Sequence, residues 1–176
     1  GRGAGRRAAR AARRGRPGGV RTCVRMRIPS NLSPRRTGDL GEAAARFWLE
    51  LQGARVWIPL SHSPFVDLIA ETDHELLRVQ VKASTQRTAT GRFPVTVCTR
   101  GGNQSWNGVT RHLDPARIDY LFLLIADGRR WFIPAGAVGA RTAITVGGPK
   151  YSEFEVDDEP GFFGATIPSA LPRGDS

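Results

Sequence analysis

Asp67, Gln80 and Lys82 are polar side chains inside segments that otherwise have the composition of buried β-strands. They lie in the run DLIAETDHELLRVQVKAST at 67–85, where leucine, isoleucine and valine surround them. An isolated charge in a sheet interior is costly, so a carboxylate and an ammonium group there should be paired or bound to a metal ion. Asp67 is therefore a candidate ligand for a hard cation, which prefers oxygen donors.

The hydrolysis of a phosphodiester is one reaction that needs this set of groups. Carboxylates, with an amide or a backbone carbonyl, hold Mg²⁺, and the ion polarises the phosphate and activates water. A lysine orients that water or stabilises the charge that develops on the phosphate. Glu42 lies on a predicted helix that precedes Asp67 and is a further carboxylate that could join the group.

Three predicted elements would bring these side chains together. The segment from Thr37 has apolar residues at helical spacing, with this threonine and a nearby aspartate as candidate caps, and predicts an amphipathic helix ending at Gly53. The segments FVDLIAE and LLRVQVKAS predict two strands joined by the tight connection TDHE. The period of two along a strand places Gln80 and Lys82 on one face, and the hairpin brings Asp67 alongside them.

Other apolar runs predict the remaining strands of the sheet. IDYLFLLIAD is apolar on both faces, as is typical of an interior strand, and RRWFIPAGAV follows as its antiparallel neighbour across a DGRR turn. ARVWIPL and FPVTVCTR also predict strands, and a short edge strand is expected within 151–156. The segment GGNQSWNGVTRHLDPAR between two of the strands predicts a long polar loop.

The runs GDLGEAAARFWLELQGARVWIPL and SPFVDLIAETDHELLRVQVKAST together resemble the PD-(D/E)XK nuclease superfamily. The resemblance is to the small branch that includes intron-encoded homing endonucleases and is similar to Holliday-junction resolvases. It implies an α/β fold of the restriction-endonuclease type, with a central mixed β-sheet flanked by helices, together with Mg²⁺ dependence and cleavage of DNA. It covers roughly residues 38–135, a length typical of one domain.

The resemblance also implies a role for each residue of the group. Glu42 would be the acid on the helix, Asp67 the metal-binding aspartate and Lys82 the lysine of the motif. Gln80 would occupy the position where the family usually has Asp or Glu. Gln80 and the backbone carbonyl of Val81 would complete the metal site with Asp67.

Gln80 is the main departure from the family pattern. A neutral amide in place of a carboxylate removes one negative charge from the metal site, although an amide oxygen still binds a hard cation more weakly. Glu42 or Glu71 could supply the missing charge. The motif proline is Pro64, three positions before Asp67.

Each residue of the group also has a purely structural interpretation. Lys82 could extend its stem along the sheet and keep its ammonium in water. Asp67 could form an ion pair with Arg78 near the turn. Glu42 could be a capping-box acid that accepts hydrogen bonds from backbone N–H groups at the start of the helix. The functional interpretation rests on the occurrence of all four in the family order.

Contacts to double-stranded DNA are expected from polar loops that flank this group. Arginine side chains bind phosphates, and amide side chains read base edges. The candidate DNA-binding residues are Arg87, Arg100, Asn103, Gln104 and Arg111. The alternative is a solvated surface, because these charges are scattered along the chain and do not form a stripe.

The positive charge of the chain is concentrated at its N-terminus. Residues 1–36 contain 12 arginines and no acidic residue, so residues 37–176 carry 14 basic and 16 acidic residues and are nearly neutral. The first part is predicted to be a disordered basic leader because it has too few apolar residues to form a core. It could be an arm that binds nucleic acid or an organelle transit peptide, or it could precede a true start at Met26.

The distribution of charged and apolar residues predicts three segments in the chain. We predict the leader at 1–36, a nuclease-like domain at 37–146 and a C-terminal extension at 147–176 with an edge strand and a Pro/Gly tail. No apolar run is long enough to span a bilayer, so no membrane association is expected. The two cysteines are not in a Cys-x-x-Cys pair, which fits a cytoplasmic location.

Three functions are compatible with these features. The first is a Mg²⁺-dependent DNA endonuclease, which would act as a homo-oligomer if it cuts both strands, because two sites are then needed. The second is a weakened copy of the same fold that only binds DNA, which Gln80 makes plausible. The third is an enzyme similar to Holliday-junction resolvases that acts on branched DNA.

Overall fold

The structure, a computed structural model, describes residues 27–61, 63, 65–100 and 110–164, without the side chains of 99, 100 and 110. Most of the predicted leader and the end of the C-terminal tail therefore lie outside the described residues. The helices and strands are α1 (Pro34–Leu51), β1 (Arg55–Trp57), β2 (Leu68–Glu71), β3 (Leu76–Ser84), β4 (Phe93–Thr96), β5 (Thr99–Arg100), β6 (Thr110–Arg111), β7 (Tyr120–Ile125), β8 (Arg130–Pro134), α2 (Ala135–Val138), β9 (Ala143–Val146) and β10 (Glu155–Val156), with a 3₁₀ turn at Ser152–Phe154.

Helix α1 begins three residues earlier than the sequence predicted. Its N-cap is Ser33, whose side chain accepts a hydrogen bond from the Arg36 backbone N–H at 3.3 Å, and Pro34 occupies the first turn. The prediction of Thr37 as a cap is wrong, because a proline fits the first helical turn and the serine before it can cap the free N–H groups. The helix ends at Leu51, and Gly53 follows with a φ of +89°. No helix within the described residues has the length and apolar character needed to cross a membrane.

Six strands form one mixed sheet in the order β1-β2-β3-β7-β8-β10. Strands β3 and β7 run parallel, with Lys82 opposite Leu123, and the other neighbours in this sheet run antiparallel. The hairpin between β2 and β3 and the pairing of β7 with β8 are confirmed. The α/β fold with a central mixed sheet is thus as the sequence predicted.

The central sheet separates two apolar cores. On one face, Leu77, Val79 and Val81 pack against α1 together with Phe122 and Leu124. On the other face, the alternate residues of β7 and β8 pack against β4, β9 and α2; they are Leu121, Leu123, Ile125, Trp131 and Ile133. Strand β7 is therefore buried on both faces, which explains its continuous apolar run.

The predicted strand FPVTVCTR is divided in the structure and does not join the central sheet. Its first part, β4, pairs antiparallel with β9 in a separate two-stranded ribbon, and its last two residues form β5, which pairs with β6. Phe93, Val95 and Val97 are buried against the central sheet. The ribbon therefore covers the face opposite α1, a placement that depends on residues some fifty positions further along the chain.

The segment after Val146 is held on the sheet by contacts to α1 and β8. Strand β10 pairs with β8 at the edge of the sheet, close to where the sequence predicted an edge strand. The indole Nε1 of Trp48 donates to the carbonyl of Asp157 at 2.6 Å, and the buried Arg130 forms an ion pair with Asp158. Phe162 also packs on the α1 side of the sheet. These contacts join the described part of the C-terminal extension to the same apolar core.

Candidate active site

Asp67 lies immediately before β2, where its backbone and side chain both bond to β3. Its N–H donates to the carbonyl of Val79 at 3.0 Å, and its carboxylate Oδ2 accepts the N–H of Val81 at 2.7 Å. The Asp67 carboxylate thus takes the place of a backbone carbonyl as the acceptor for the N–H of Val81. The N–H and C=O of one strand residue point to the same side, so the carbonyl of Val81 also faces the Asp67 side of β3.

Gln80 and Lys82 lie on the face of β3 opposite α1, as the alternation predicted, but both are covered. Gln80 is only 3% exposed, and Lys82 is partly buried. Burial lowers the pKa of Lys82 from its ordinary value, while the nearby carboxylates of Asp67 and Glu42 oppose this change. The ribbon of β4 and β9, which the sequence did not predict, packs on this same face of the sheet.

Glu42 lies in the third turn of α1, directly after Gly41, where this helix packs closely on β3. A β-carbon on Gly41 would lie 3.0 Å from Cβ of Ala83, so the glycine permits that approach. Partial burial of the carboxylate raises the pKa of Glu42, the charges of Asp67 and Asp39 raise it further, and Lys82 lowers it. Glu42, Asp67 and Lys82 are therefore close enough to influence one another electrostatically.

Two of the structural interpretations from the sequence are wrong. Arg78 does not pair with Asp67. Its guanidinium forms two hydrogen bonds of 2.9 Å with the carboxylate of Asp119, because the parallel pairing of β3 and β7 brings that residue to the start of β3. Glu42 is nine positions after the N-cap Ser33, too far to cap the N–H groups of the first turn.

The oxygen donors at this position are suited to a hard divalent cation. Asp67 and Glu42 supply carboxylates, Gln80 an amide oxygen and Val81 a backbone carbonyl, the donor types that Mg²⁺ and Ca²⁺ prefer. Among the described residues, no group of three His, Cys, Asp or Glu side chains could hold a metal ion. An ion bound here would therefore depend on the amide and the carbonyl as well as on the carboxylates.

Glu71 does not supply the charge that Gln80 lacks. It lies at the far end of β2, where it accepts a hydrogen bond from Trp57 Nε1 at 2.8 Å and lies 3.6 Å from Arg55. It lies four positions after Asp67 along the chain. Of the two acids that the sequence offered as a replacement, only Glu42 lies at the site.

The structure places two of the candidate DNA-binding arginines, Arg111 and Arg87, beside aromatic rings. The guanidinium carbon of Arg111 lies 5.7 Å from the centre of the Phe65 ring, and that of Arg117 lies 4.7 Å from the same ring. Phe65 is two residues before Asp67 in the chain. Arg87 lies 5.8 Å from the ring of Phe93 in the ribbon.

The remaining candidates lie beyond the described part of the structure. These are Asn103, Gln104 and the side chain of Arg100, and the motif proline Pro64 also lies there.

Two neighbours of the site were missed by the sequence analysis. Cys98 is buried and lies close enough to Lys82 to influence the pKa of that lysine. Asp39 influences Glu42 from one helical turn away. The helical spacing of Asp39 and Glu42 could have indicated the second of these.

A family model of PD-(D/E)XK endonucleases matches residues 32–153, which is most of the chain. The chain therefore belongs to the PD-(D/E)XK endonuclease family, as its sequence motifs indicated. Among solved structures it is similar to the bacterial homing endonuclease I-Ssp6803I, with a TM-score of 0.53 and 20% sequence identity over 70% of this chain and 87% of that chain. This second likeness concerns the fold. A comparison with curated proteins gave no match.

Proposed function

We propose that this protein is a Mg²⁺-dependent endonuclease that hydrolyses phosphodiester bonds in double-stranded DNA. The observation that carries the proposal is the convergence of Glu42, Asp67 and Lys82, from a helix and two strands, in the order of the family motif. Family membership supports a nuclease, while the metal, the form of DNA and the residue roles are part of the proposal.

Each group of the site has a distinct task in this reaction. Asp67, Gln80 and the carbonyl of Val81 would hold Mg²⁺, with Glu42 adding negative charge. The bound ion supplies polarisation of the phosphate and a lowered pKa of water. The Lys82 ammonium donates hydrogen bonds to the attacking water or to a phosphate oxygen, where negative charge increases during the reaction.

Lys82 is the residue whose removal tests the catalytic role most directly. We expect Lys82→Ala to lower the rate of plasmid cleavage with Mg²⁺ by about 10²–10³-fold, because one positioned charge at a reacting oxygen contributes this much in other enzymes. The measurement is the conversion of supercoiled plasmid to nicked and linear forms. Asp67→Ala should abolish cleavage in the same assay.

The chain contains one other lysine, which provides a matched control. Lys150 is exposed and lies 5.0 Å from the Tyr151 ring, away from the site. Lys150→Ala should cleave at a rate within about twofold of the unmodified chain, as expected for a surface substitution. Equal losses in both lysine variants would contradict a catalytic role for Lys82.

The second candidate function is DNA binding without cleavage, which Gln80 favours because it lowers the negative charge of the metal site. DNA binding without nicking by the unmodified chain, by Asp67→Ala and by Lys82→Ala would support it.

A four-way junction and a linear duplex of matched length, compared as substrates, would distinguish an enzyme for branched DNA from one for linear DNA. Sedimentation with and without DNA would show whether a homo-oligomer forms, as double-strand cutting would require. A cytoplasmic location remains part of the same proposal.

A further inference from the structure

A cleft of about 360 Å³ lies on the α1 side of the sheet, where β7 begins and β8 ends. It is separate from the candidate active site, because Tyr120 at its wall pairs with Val79, whereas Lys82 lies three residues further along β3. The cleft is at the lower end of the volumes of ligand pockets. It can take one long side chain with its neighbouring peptide group.

The walls of this cleft are aromatic and its rim is acidic. Trp48, Tyr120, Phe132, Phe154 and Phe162 line it, and their rings are fixed by contacts such as the stacking of Tyr120 on Phe132 at 4.3 Å. Among the residues that the structure describes, its rim carries four exposed carboxylates and no basic residue; the carboxylates are Glu153, Glu155, Asp157 and Glu159. One of them, Glu155, lies 3.9 Å from Arg129, which does not line the cleft. We call it the acidic cleft.

Gln52 contributes an unsatisfied hydrogen-bond donor to the acidic cleft. The residue is only 1% exposed, its Oε1 accepts the N–H of Phe162 at 2.9 Å, and its Nε2 has no partner among the described residues. The bond to Phe162 fixes the orientation of the amide, because only the oxygen can accept from an N–H. This nitrogen has less than 1 Å² of accessible surface, so an acceptor reaches it only after a small movement of the cleft walls. Because a buried donor without a partner is costly, a ligand that brings an acceptor would gain from this position.

The chemistry of the walls, the rim and Gln52 selects one class of ligand. Negative rim charges repel phosphate and attract a cation, and aromatic rings attract cations through their faces. A guanidinium group satisfies both, because it is planar and pairs with carboxylates through several N–H groups. The donor of Gln52 requires a carbonyl next to this cation, which a peptide backbone provides.

We propose that the acidic cleft binds an arginine side chain on a peptide segment of a partner protein, whose backbone carbonyl accepts a hydrogen bond from Gln52 Nε2. The proposal does not depend on the nuclease function. Because the rim repels phosphate, DNA on the basic side chains near Phe65 would leave this cleft accessible. The acidic cleft would thus join the nuclease fold to a basic partner.

The test is a titration of the ¹⁵N-labelled full chain with the capped peptide acetyl-Ala-Arg-Ala-Arg-Ala-amide, followed by NMR without DNA or metal. The matched peptide has citrulline, which has the shape of arginine without its charge. We expect the arginine peptide to bind at least about tenfold more tightly, because the citrulline peptide loses the ion pairs and the cation–π contact. The side-chain amide signal of Gln52 should shift more than that of Gln86, which lies outside the acidic cleft.

Substitutions on the rim provide a second readout in a chain that should remain folded. Glu153→Gln with Glu159→Gln should weaken the binding of the arginine peptide by about three- to tenfold, since two exposed ion pairs are lost. The control pair is Glu50→Gln with Asp73→Asn, two exposed acids that do not line the acidic cleft. It should change the affinity by less than about twofold.

The outcomes that overturn the proposal are equally specific. Equal affinity for the arginine and citrulline peptides, or equal effects of the two double variants, would mean that the cleft does not select a cation. The first 25 residues contain arginines of the same chemistry, so the titration is repeated with a chain that starts at Met26. Binding by neither form also overturns the proposal. Plasmid cleavage by the rim variant, assayed in parallel, tests the nuclease function separately.

Discussion

At the scale of single residues, Gln80 is the position that departs most from the chemistry expected of the site. Its side chain is almost fully buried beside Asp67 and on the same face as Lys82. A carboxylate at this position would strengthen the binding of a divalent cation. The same carboxylate without a cation would be a buried charge next to another negative charge, which is unfavourable.

We predict two opposite effects of Gln80→Glu. Without metal, the free energy of unfolding should decrease by about 1–3 kcal/mol, because an additional buried carboxylate has to be desolvated or protonated. With Mg²⁺, stability should recover, and half-maximal cleavage should occur at a several-fold lower Mg²⁺ concentration. Thermal unfolding with and without MgCl₂, together with a Mg²⁺ titration of plasmid cleavage, measures both effects.

Gln86→Glu is the matched control for this prediction, because Gln86 is exposed in the loop after β3. It adds the same charge without burial and should change neither stability nor the Mg²⁺ requirement by more than a small amount. If Gln80→Glu leaves the Mg²⁺ requirement unchanged, Gln80 is not a ligand of the ion.

At the scale of secondary-structure elements, the close contact between α1 and β3 positions Glu42. Gly41 makes that contact possible, since a β-carbon on it would already lie 3.0 Å from Cβ of Ala83 and 3.4 Å from Cγ1 of Val81. We predict that Gly41→Val lowers the free energy of unfolding by about 1–3 kcal/mol through overpacking. It should also lower the rate of plasmid cleavage, because α1 has to move away from β3 and carries Glu42 with it.

Gly38 offers a control within the same helix. A β-carbon on this glycine would meet no neighbouring group within 4 Å. Gly38→Val introduces the same side chain into α1 and should change stability by less than about 1 kcal/mol, since only helix propensity differs. Chemical denaturation and plasmid cleavage of both variants make the comparison, and similar losses in the two would show that the close contact is unimportant.

The parallel pairing of β3 with β7 is also fixed by an ion pair at its first residues. Arg78 donates backbone and side-chain hydrogen bonds to Asp119, and the N–H of Asp119 donates to the carbonyl of Arg78 at 2.9 Å. Partial burial alone would raise the pKa of Asp119, but the hydrogen bonds and charge of Arg78 lower it below its ordinary value. The stability that the Arg78–Asp119 pair contributes is therefore fully present above about pH 4. It is lost as the pH falls through the lowered pKa of Asp119.

We predict that Asp119→Asn lowers the free energy of unfolding at neutral pH by about 1–2 kcal/mol, a discounted value for a pair that is partly exposed. The difference from the unmodified chain should decrease as the pH falls below about 4, because protonation of Asp119 then removes the same interaction. Urea unfolding between about pH 7 and pH 3 measures it. Asp73→Asn, at an exposed turn position, should change the free energy of unfolding at neutral pH by little.

At the scale of the whole molecule, the net positive charge lies outside the segment that carries the proposed site. Residues 1–25 contain nine arginines, whereas all the proposed site residues follow them. We predict that a chain starting at Met26 cleaves saturating plasmid at a rate within about twofold of the full chain. Its affinity for DNA should decrease, and its binding should depend less steeply on salt, because fewer phosphate contacts release fewer counterions.

Fluorescence anisotropy with a labelled duplex at several KCl concentrations measures the slope of log affinity against log salt. A matched variant, with the exposed Arg141 changed to Ala, removes a single charge from the described part of the chain. It should change the slope by about one unit at most. Loss of cleavage at saturating DNA in the chain that starts at Met26 would contradict the prediction.

The sequence by itself determined the local patterns of this protein. The alternation in β3 predicted which residues face α1, the continuous apolar run predicted that β7 is interior, and the ordered motif predicted Glu42, Asp67 and Lys82 as a group. These features depend on residues within one element or one hairpin, where periodicity and spacing carry the information. Family membership could be predicted from the same residues.

Only the tertiary structure decided which distant segments meet. It paired Arg78 with Asp119, placed β4 in a separate ribbon with β9, and buried Gln80 on the face of β3 opposite α1. It also formed the acidic cleft from the end of α1, from β7 and β8, and from residues 153–162. Such contacts depend on how apolar faces from remote parts of the chain pack together, and this long-range choice leaves no periodic signal in any single segment.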